Sequence, residues 1–352
     1  MRGNGSKSLL LDLAHRHLLC SKAIEGQWAI KRILGATLVR ELPANGVLVW
    51  GRKPSAVRAE RKARKLGLPL VRVEDGFLRS FGTGDEFPGL SLVLDTQGIY
   101  YDSTSPSDLE NMLASEDDLM SQAEEVDKAM GLLLQHRLSK YNHAPDIDGS
   151  LLRFASNDRG GYSLAGGAAD DRPRVLVIDQ TFGDMSVLYG AAKEQTFSYM
   201  LQAAIEENPG ALVCLKTHPE VSSGRKRGYL SDVQAMKLSQ GGQLLPLREP
   251  ANPIGLLQKM DKVYAATSGM GFEALLCGRP VRCFGLPWYA GWGATQDEQH
   301  SPRRTRRRAV RELFAAGYVC YSRYINPVTH QPGNIFDVIA WLVRQRQMAG
   351  LV

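Results

Sequence analysis

Carboxylates, a Lys-Thr-His-Pro run and a turn of small residues each stand directly behind a short apolar run in this chain. Glu74 and Asp75 follow Leu70–Val73 and precede Gly76 and Arg79. Asp179 follows Arg174–Ile178 and leads into Gln180-Thr181. Lys216-Thr217-His218-Pro219 follows Ala211–Leu215, and Thr267-Ser268-Gly269 follows Val263–Ala266. Such runs read as buried strands. In an open α/β sheet, ligands bind beyond the carboxyl ends of the strands, so polar groups placed there converge on one edge. Three of these ends (Asp179, Lys216–His218 and Thr267–Gly269) fall in one half of the chain. Their convergence carries more than any single motif. Asp75-Gly76 alone also suits a turn, but a carboxylate pair followed by Gly and then Arg favours a role in a site.

The stretch Asp261–Gly293 reads strand, loop, helix, strand. Gly271–Leu276 carries helix formers, Gly278 sits where a C-cap glycine belongs, and Pro280–Phe284 opens the next strand. A strand that runs through Thr267-Ser268-Gly269 into a helix directs backbone N–H groups and hydroxyls at one spot, where a phosphate is favoured. Glu273, one turn in, reaches ribose hydroxyls of the same ligand. The stretch thus suits the nucleotide half of a nucleotide-sugar site. An ordinary strand-to-helix unit capped by Ser268 is the alternative.

The elements that must position these groups alternate between strand and helix. Residues 1–42 read mostly as helix, with Leu9, Leu10, Leu13, His17 and Leu18 on one face. Gly46–Trp50 is a strand, Ser55–Leu66 a helix opened by Pro54 and closed by Gly67, and Leu70–Val73 the next strand. Ser91–Leu94 and Gly98–Tyr101 read as a hairpin, and a helical pattern runs from Ser105 to about Leu138. A Gly-, Asp- and Ala-rich stretch, Gly160–Arg172, marks a domain boundary. Thr196–Glu207 and Pro253–Met260 are helices and Leu244–Leu247 is a strand. Arg311–Ala316 is helical, and Ile335–Met348 is a closing amphipathic helix. The expected division is 1–165, 172–332 and a C-terminal helix over 333–352.

At 352 residues the chain has room for two domains with full cores. Its apolar runs are too short to span a bilayer, and the N-terminus is a poor signal peptide. Five scattered cysteines without a CxxC pair suggest neither zinc nor a disulfide framework. The net charge of +6 gathers in Arg58–Lys65, Arg225–Arg227 and Arg303–Arg308. Such clusters suit anionic lipid heads or anionic substrates. Nucleic acid is disfavoured, since no RNP-type or zinc-finger pattern accompanies them.

The segments VWGRKPSA, VEDGFLRSFG, LSLVLDTQGIYYDSTSPSDLE, VLVIDQTFGDMSV, KTHPEV, KRGYL, NPIGLL and TSGMGFEALLCGRPVRCFGLPWYAGWG run from about Val47 to Pro332. Together they resemble the KpsC-type capsular polysaccharide β-Kdo transferases of Gram-negative bacteria. Members commonly carry two such modules in tandem, each forming a different Kdo linkage, and this chain has room for one. The resemblance implies a GT-B-like α/β architecture of two Rossmann-like domains facing across a cleft, the first on the acceptor side and the second binding the CMP-sugar. It implies CMP-β-Kdo as donor, a β-Kdo-linked (lyso)phosphatidylglycerol acceptor, and partners among the capsule assembly proteins. A cytoplasmic location follows, peripheral on the inner membrane through the basic clusters. No cofactor and no metal are expected.

Related β-Kdo transferases retain anomeric configuration through a covalent glycosyl-enzyme, and retention by such double displacement needs a carboxylate nucleophile and a second group to move the acceptor proton. The resemblance makes Asp179 the nucleophile, with a turn or capping role as its rival. It makes Glu74 the general acid/base and Asp75 the next choice for either role. His218-Pro219 resembles the HP motif of CMP-sugar transferases, where the imidazole binds or protonates the leaving phosphate. Lys216, Thr267, Ser268, Gly269 and the Gly271 backbone would hold the CMP phosphate, Glu273 the ribose, and Arg79 and Lys53 the Kdo carboxylate. Trp288, Tyr289 and Trp292 either line the sugar site or pack in the core. An epimerase or glycerophosphotransferase on a similar fold, or a non-catalytic capsule export component, are the other functions compatible with these residues.

Overall fold

The structure is a computed structural model that describes residues 16–84, 86–148, 152, 155–156, 162–163, 172–231, 235, 237 and 244–351. Leu9, Leu10 and Leu13 of the expected first helix lie outside these residues, as does nearly all of the Gly160–Arg172 boundary. In chain order the strands are β1 (His17–Leu19), β2 (Thr37–Val39), β3 (Gly46–Trp50), β4 (Leu70–Asp75) and β5 (Ser91–Asp95). Next come β6 (Ala155–Ser156), β7 (Tyr162–Ser163), β8 (Arg174–Ile178), β9 (Leu212–Lys216) and β10 (Leu244–Leu247). The last five are β11 (Lys262–Ala265), β12 (Val281–Cys283), β13 (Gln296–Asp297), β14 (Ser322–Ile325) and β15 (Pro332–Gly333).

Two compact units divide the chain. One comprises the segments up to His143 and from Arg303 onward; the other is Ala144–Pro302. In the first, the sheet order is β15-β14-β5-β4-β3-β1-β2. Strands β1 to β4 run parallel, while β5 and β14 are antiparallel to their neighbours. The apolar runs GVLVW and SLVLD are buried along nearly their whole length, as central strands covered on both faces must be. Helix Pro54–Leu66 forms as its ends dictate. Proline occupies its first turn, and Gly67, at φ +64°, closes it by donating to Ala63 O and Arg64 O.

Several expectations are corrected here. His17 and Leu18 lie in strand β1, because pairing with β2 and β3 outweighs the helical spacing of the leucines. Gly98–Tyr101 is a turn. The Asp95 carboxylate gathers the N–H groups of Gln97 and Gly98, which curls the chain instead of letting it run back beside β5. The helical pattern of 105–138 breaks into Asp108–Ala114 and Ala123–Gln135, with extended Ser115 ending the first. Residues 303–332, expected in the second domain, belong to the first unit, since β14 pairs with β5 in register Ser322↔Val93.

The basic run Arg303–Arg308 is what brings that segment back. Arg306 Nε donates to Ala114 O, and Arg308 donates to Leu113 O and Ser115 O. These are carbonyls that the end of helix Asp108–Ala114 leaves without intrahelical partners. Arg303 and the buried Arg304 both face the buried Glu110, at 2.7 and 3.6 Å. Four of these arginines are therefore engaged within the unit; Arg307 is exposed. Among the described residues no helix is long and apolar enough to cross a membrane.

In the second unit the order β10-β9-β8-β11-β12-β13 is parallel throughout. Counted within this sheet the order is 3-2-1-4-5-6, the Rossmann order, whose switch point lies between β8 and β11. Its core packs Val175, Val177, Phe197, Met200, Val213, Leu215 and Tyr264.

Replacing Glu110 with Ala should leave Arg304 buried without this counter-charge. Breaking a buried pair from one side costs on the order of 3 kcal/mol. Urea denaturation should show this loss, whereas Glu116→Ala, which removes an exposed carboxylate, should be nearly neutral.

Candidate functional site

The switch point of the second sheet is occupied by Asp179 and Gln180 behind β8 and by Thr267 behind β11. All three are buried. Gln180 Oε1 accepts from Thr267 N (3.0 Å) and Thr267 Oγ1 (3.1 Å), and Gln180 Nε2 donates to Ser186 Oγ (3.2 Å). Ser186 Oγ also meets Thr267 Oγ1 at 3.1 Å. One amide thus ties the two chain ends together. Gly190 and Gly285 are required beside it, because a Cβ on either would come within 2.7 Å of Thr267 Cγ2.

Asp179 is directed to a neighbouring loop. Its Oδ1 accepts from Tyr229 N at 3.2 Å and its Oδ2 from Leu230 N at 3.4 Å. A Cβ on Gly228 would stand 2.4 Å from Oδ2. The loop is fastened from its other side: Phe182 N donates to Arg227 O, Arg227 lies 3.8 Å over the Phe182 ring, and Tyr229 stacks on Phe197 at 4.2 Å. Burial pushes the Asp179 carboxyl up to about 6, against the lowering effect of backbone N–H groups of Gln180, Leu230 and Tyr229.

Lys216 ends β9. Its ammonium donates to Glu249 O (3.1 Å) and Thr217 O (3.2 Å), and burial lowers its pKa to about 8 although Glu249 opposes this. His218 caps the short helix Pro219–Ser222, with Nδ1 accepting from Glu220 N at 3.2 Å. Its proton therefore sits on Nε2. Burial lowers the imidazole pKa below its usual value, though Glu220 and Asp184 pull the other way, so the ring is neutral near pH 7.

The small-residue turn is shaped by Tyr289, whose hydroxyl donates to Ser268 O at 2.7 Å. A Cβ on Gly271 would lie 2.0 Å from that hydroxyl, whereas one on Gly269 would meet open space. Glu273 is buried within helix Met270–Leu276. Trp288, Tyr289 and Trp292 are core residues: all three are buried, and Trp292 Nε1 donates to Trp288 O.

In the first unit, Glu74 and Asp75 end β4. Trp50 Nε1 donates to Glu74 Oε1 at 2.7 Å, and Asp75 N donates to the same oxygen at 3.2 Å. Asp75 pairs with Arg79 at 2.8 Å, and Lys53 lies over the Trp50 ring at 5.6 Å. Burial raises the Glu74 pKa, partly countered by Lys140. A Cβ on Gly51 would approach Glu74 Oε2 and the Tyr101 hydroxyl within 2.6 Å, so only glycine leaves room for both. Among the described residues no group of three or more His, Cys, Asp or Glu side chains is arranged to hold a metal ion.

The sequence-predicted residues thus fall into two groups. Asp179, Lys216, His218, Pro219 and Thr267 to Gly271 gather at the carboxyl edge of the second sheet. Glu74, Asp75, Arg79 and Lys53 gather at the end of β4. Sequence reasoning passed over Gln180, Ser186 and Lys140. A polar amide next to Asp179 at a strand end was a usable signal for the first; the others carried none.

A family profile described as "Capsule polysaccharide biosynthesis protein" matches residues 45–326, and the chain belongs to that family. The "Capsule polysaccharide modification protein LipA" of Neisseria meningitidis serogroup B is 47% identical over 308 residues, which cover 85% of this chain and 41% of LipA. The chain therefore spans less than half the length of this relative. Among solved structures, the Thermosulfurimonas dismutans KpsC β-Kdo 2,4 transferase matches with a TM-score of 0.80 at 42% identity, covering 94% of this chain and 98% of that one. The β-Kdo 2,7 transferase of the same KpsC shares the fold, with a TM-score of 0.68 at 24% identity over 94% of this chain. The architecture is GT-B-like.

Because burial raises the Asp179 pKa to about 6 from an unfolded value near 3.8, the native state holds this proton more tightly than the unfolded chain. The stabilisation this confers is complete below about pH 4 and is lost as pH rises through 6, a change of up to about 3 kcal/mol. Wild-type stability relative to Asp179→Asn should therefore fall between pH 4 and 6 and level off above. Denaturant titrations at each pH measure it.

Proposed function

We propose that this chain is a retaining β-Kdo glycosyltransferase that moves Kdo from CMP-β-Kdo to a β-Kdo-linked (lyso)phosphatidylglycerol acceptor in capsular linker synthesis. The observation that carries this reading is the 42% identity over 94% of the chain to a β-Kdo 2,4 transferase with the same fold. A 2,4 rather than a 2,7 linkage is proposed, because the 2,7 module shares only 24% of its residues with this chain. The carboxyl edge of the Rossmann sheet supports the reading independently, since it carries a carboxylate behind β8 and a lysine and a neutral histidine behind β9, on the side where such sheets take a nucleotide.

In this mechanism an ionised Asp179 oxygen attacks the anomeric carbon of Kdo, and the bond to the CMP phosphate breaks. A pKa of about 6 leaves the carboxylate mostly ionised at neutral pH, and two backbone N–H groups fix its orientation. His218 donates from Nε2 to the departing phosphate, with Lys216 supplying positive charge and Ser268, Gly269 and the Gly271 backbone supplying donors. Glu273 serves the ribose. The acceptor hydroxyl then displaces Asp179 from the same carbon, and its proton passes to Glu74. Two inversions retain the configuration. Asp75, paired with Arg79, orients the acceptor side. The residues need no cofactor or metal for these steps. The protein acts at the cytoplasmic face of the inner membrane, beside other capsule assembly proteins, and the exposed clusters Arg58–Lys65 and Arg225–Arg227 are those left for a lipid surface.

The test is incubation with freshly generated CMP-Kdo and a short synthetic β-Kdo acceptor, followed by product mass and by NMR of the linkage. Wild type should add one Kdo, and Asp179→Ala and Glu74→Gln should each lose at least about 100-fold in rate. With acceptor omitted, intact mass should show one Kdo attached to wild type and none attached to Asp179→Ala. Transfer that survives Asp179→Ala would move the nucleophile elsewhere. Absence of transfer, together with no protection by CMP against thermal unfolding, would remove the transferase reading.

A further inference from the structure

The segment Ser139–Asn142 is fastened to the chain just beyond β4. Arg79 N and Ser80 N both donate to Lys140 O, at 3.2 and 3.3 Å, and Asn142 N donates to Phe81 O at 2.7 Å. Ser80 and Tyr141 form a parallel bridge. The fully buried Asn142 side chain donates to Ser80 O (2.9 Å) and Ser139 O (2.8 Å) and accepts from Ser139 N (2.9 Å). Backbone held this way fixes where the Lys140 side chain starts. Its ammonium ends 6.0 Å from the centre of the Tyr141 ring, and the Arg79 guanidinium lies 5.8 Å from the same ring.

The charges around Lys140 are those of the Glu74 site. Lys140 is the charge that acts most strongly on Glu74. Burial draws the lysine pKa down, but Tyr100, Tyr141, Asp75 and Glu74 together outweigh it and hold the pKa above its ordinary value. Lys140 is therefore an ammonium throughout the physiological range. Its neighbours are already engaged: Asp75 with Arg79, Glu74 with Trp50 Nε1 and Asp75 N, and Lys53 with the Trp50 ring. Like Lys53, Lys140 meets a ring face, that of Tyr141, but among the described residues its ammonium has neither a hydrogen bond nor an ion pair within 4 Å, which leaves its N–H donors for a ligand. Lys53, Arg79 and Lys140 stand against Glu74 and Asp75, which leaves one positive charge unbalanced. A ligand with a single negative charge completes such a site; a neutral sugar does not.

We propose that Lys140 is an acceptor-binding residue, whose ammonium receives the carboxylate of an acidic sugar while Glu74 faces that sugar's reacting hydroxyl. The assignment rests on the transferase reading for the identity of the sugar, and it adds a residue and a charge requirement to it. Lys140 touches the acceptor and not the donor, so its loss weakens acceptor binding and leaves donor chemistry in place.

The test is a titration of wild type, Lys140→Met and Lys140→Arg with the methyl β-glycoside of Kdo and with its methyl ester, followed by ligand-observed NMR. Wild type should bind the acid at least ten-fold more tightly than the ester. Lys140→Met should lose that preference while binding the ester as wild type does, and Lys140→Arg should keep part of it. Equal wild-type affinities for acid and ester, no wild-type binding of the acid, or a preference that survives in Lys140→Met would each overturn the proposal. The wild-type comparison and Lys140→Arg decide the matter even where thermal unfolding shows Lys140→Met to be misfolded. Binding does not depend on transfer. A Lys140-dependent acid preference in a protein that fails to use CMP-Kdo therefore rejects the transferase reading alone. Transfer whose acceptor KM is unchanged in Lys140→Met rejects this inference alone.

Discussion

The second unit depends on one side-chain amide. In a Rossmann sheet the chain departs in opposite directions from the two strands flanking the switch point, so the backbone just beyond them has no neighbouring strand to fix it. Gln180 fills that role. Its oxygen takes both donors of Thr267 and its nitrogen reaches Ser186. Because all of these groups are buried or half-buried, an unpaired member would cost roughly 1 to 3 kcal/mol, which makes the arrangement close to all-or-none. The position of Asp179 on one side and of the turn at Ser268 on the other is inherited from it.

Burial also gives the groups at this edge a shared electrostatic character. Asp179 is raised towards neutrality, Lys216 is lowered to about 8, and His218 is lowered as well. In each case desolvation dominates and nearby partners oppose it only in part. The consequence is that Asp179 and Lys216 titrate within about a unit of pH 7, while His218 stays neutral there. At the end of β4 burial likewise raises the Glu74 pKa, but there Asp75 is paired with Arg79 and Lys140 holds its charge.

Much of this was legible in the sequence. GVLVW, RVLVI and the helix Ile335–Met348 fall where their patterns put them, because each is apolar or periodic enough to need no help from distant contacts. The polar ends of β8, β9 and β11 were equally visible, since alternating strands and helices force a parallel sheet and a parallel sheet gathers its carboxyl ends. Other features depend on partners far along the chain. Strand β1 exists only because β2 and β3 flank it. Residues 303–332 return to the first unit through arginine contacts with carbonyls nearly two hundred residues earlier, which no local pattern announces. Lys140 sits in an unremarkable polar run and acquires meaning only from the bridge between Ser80 and Tyr141. The aromatic run near Trp288 was ambiguous for the opposite reason, because its composition suits a core and a sugar platform equally.

The return of the chain at Arg303 bears on how the protein is made. The second unit is complete once Pro302 has been synthesised, while the first still lacks β14 and β15. Until residue 325 emerges, β5 presents an unpaired edge, and helix Asp108–Ala114 lacks the arginines that cover its terminal carbonyls. Of the two units, Ala144–Pro302 is thus the earlier able to close on the ribosome, and the other must wait for the residues that follow Pro302. Vectorial synthesis exposes the incomplete sheet of the first unit for the time needed to translate the whole of the second, and this delay sets the interval in which a chaperone has the most to protect.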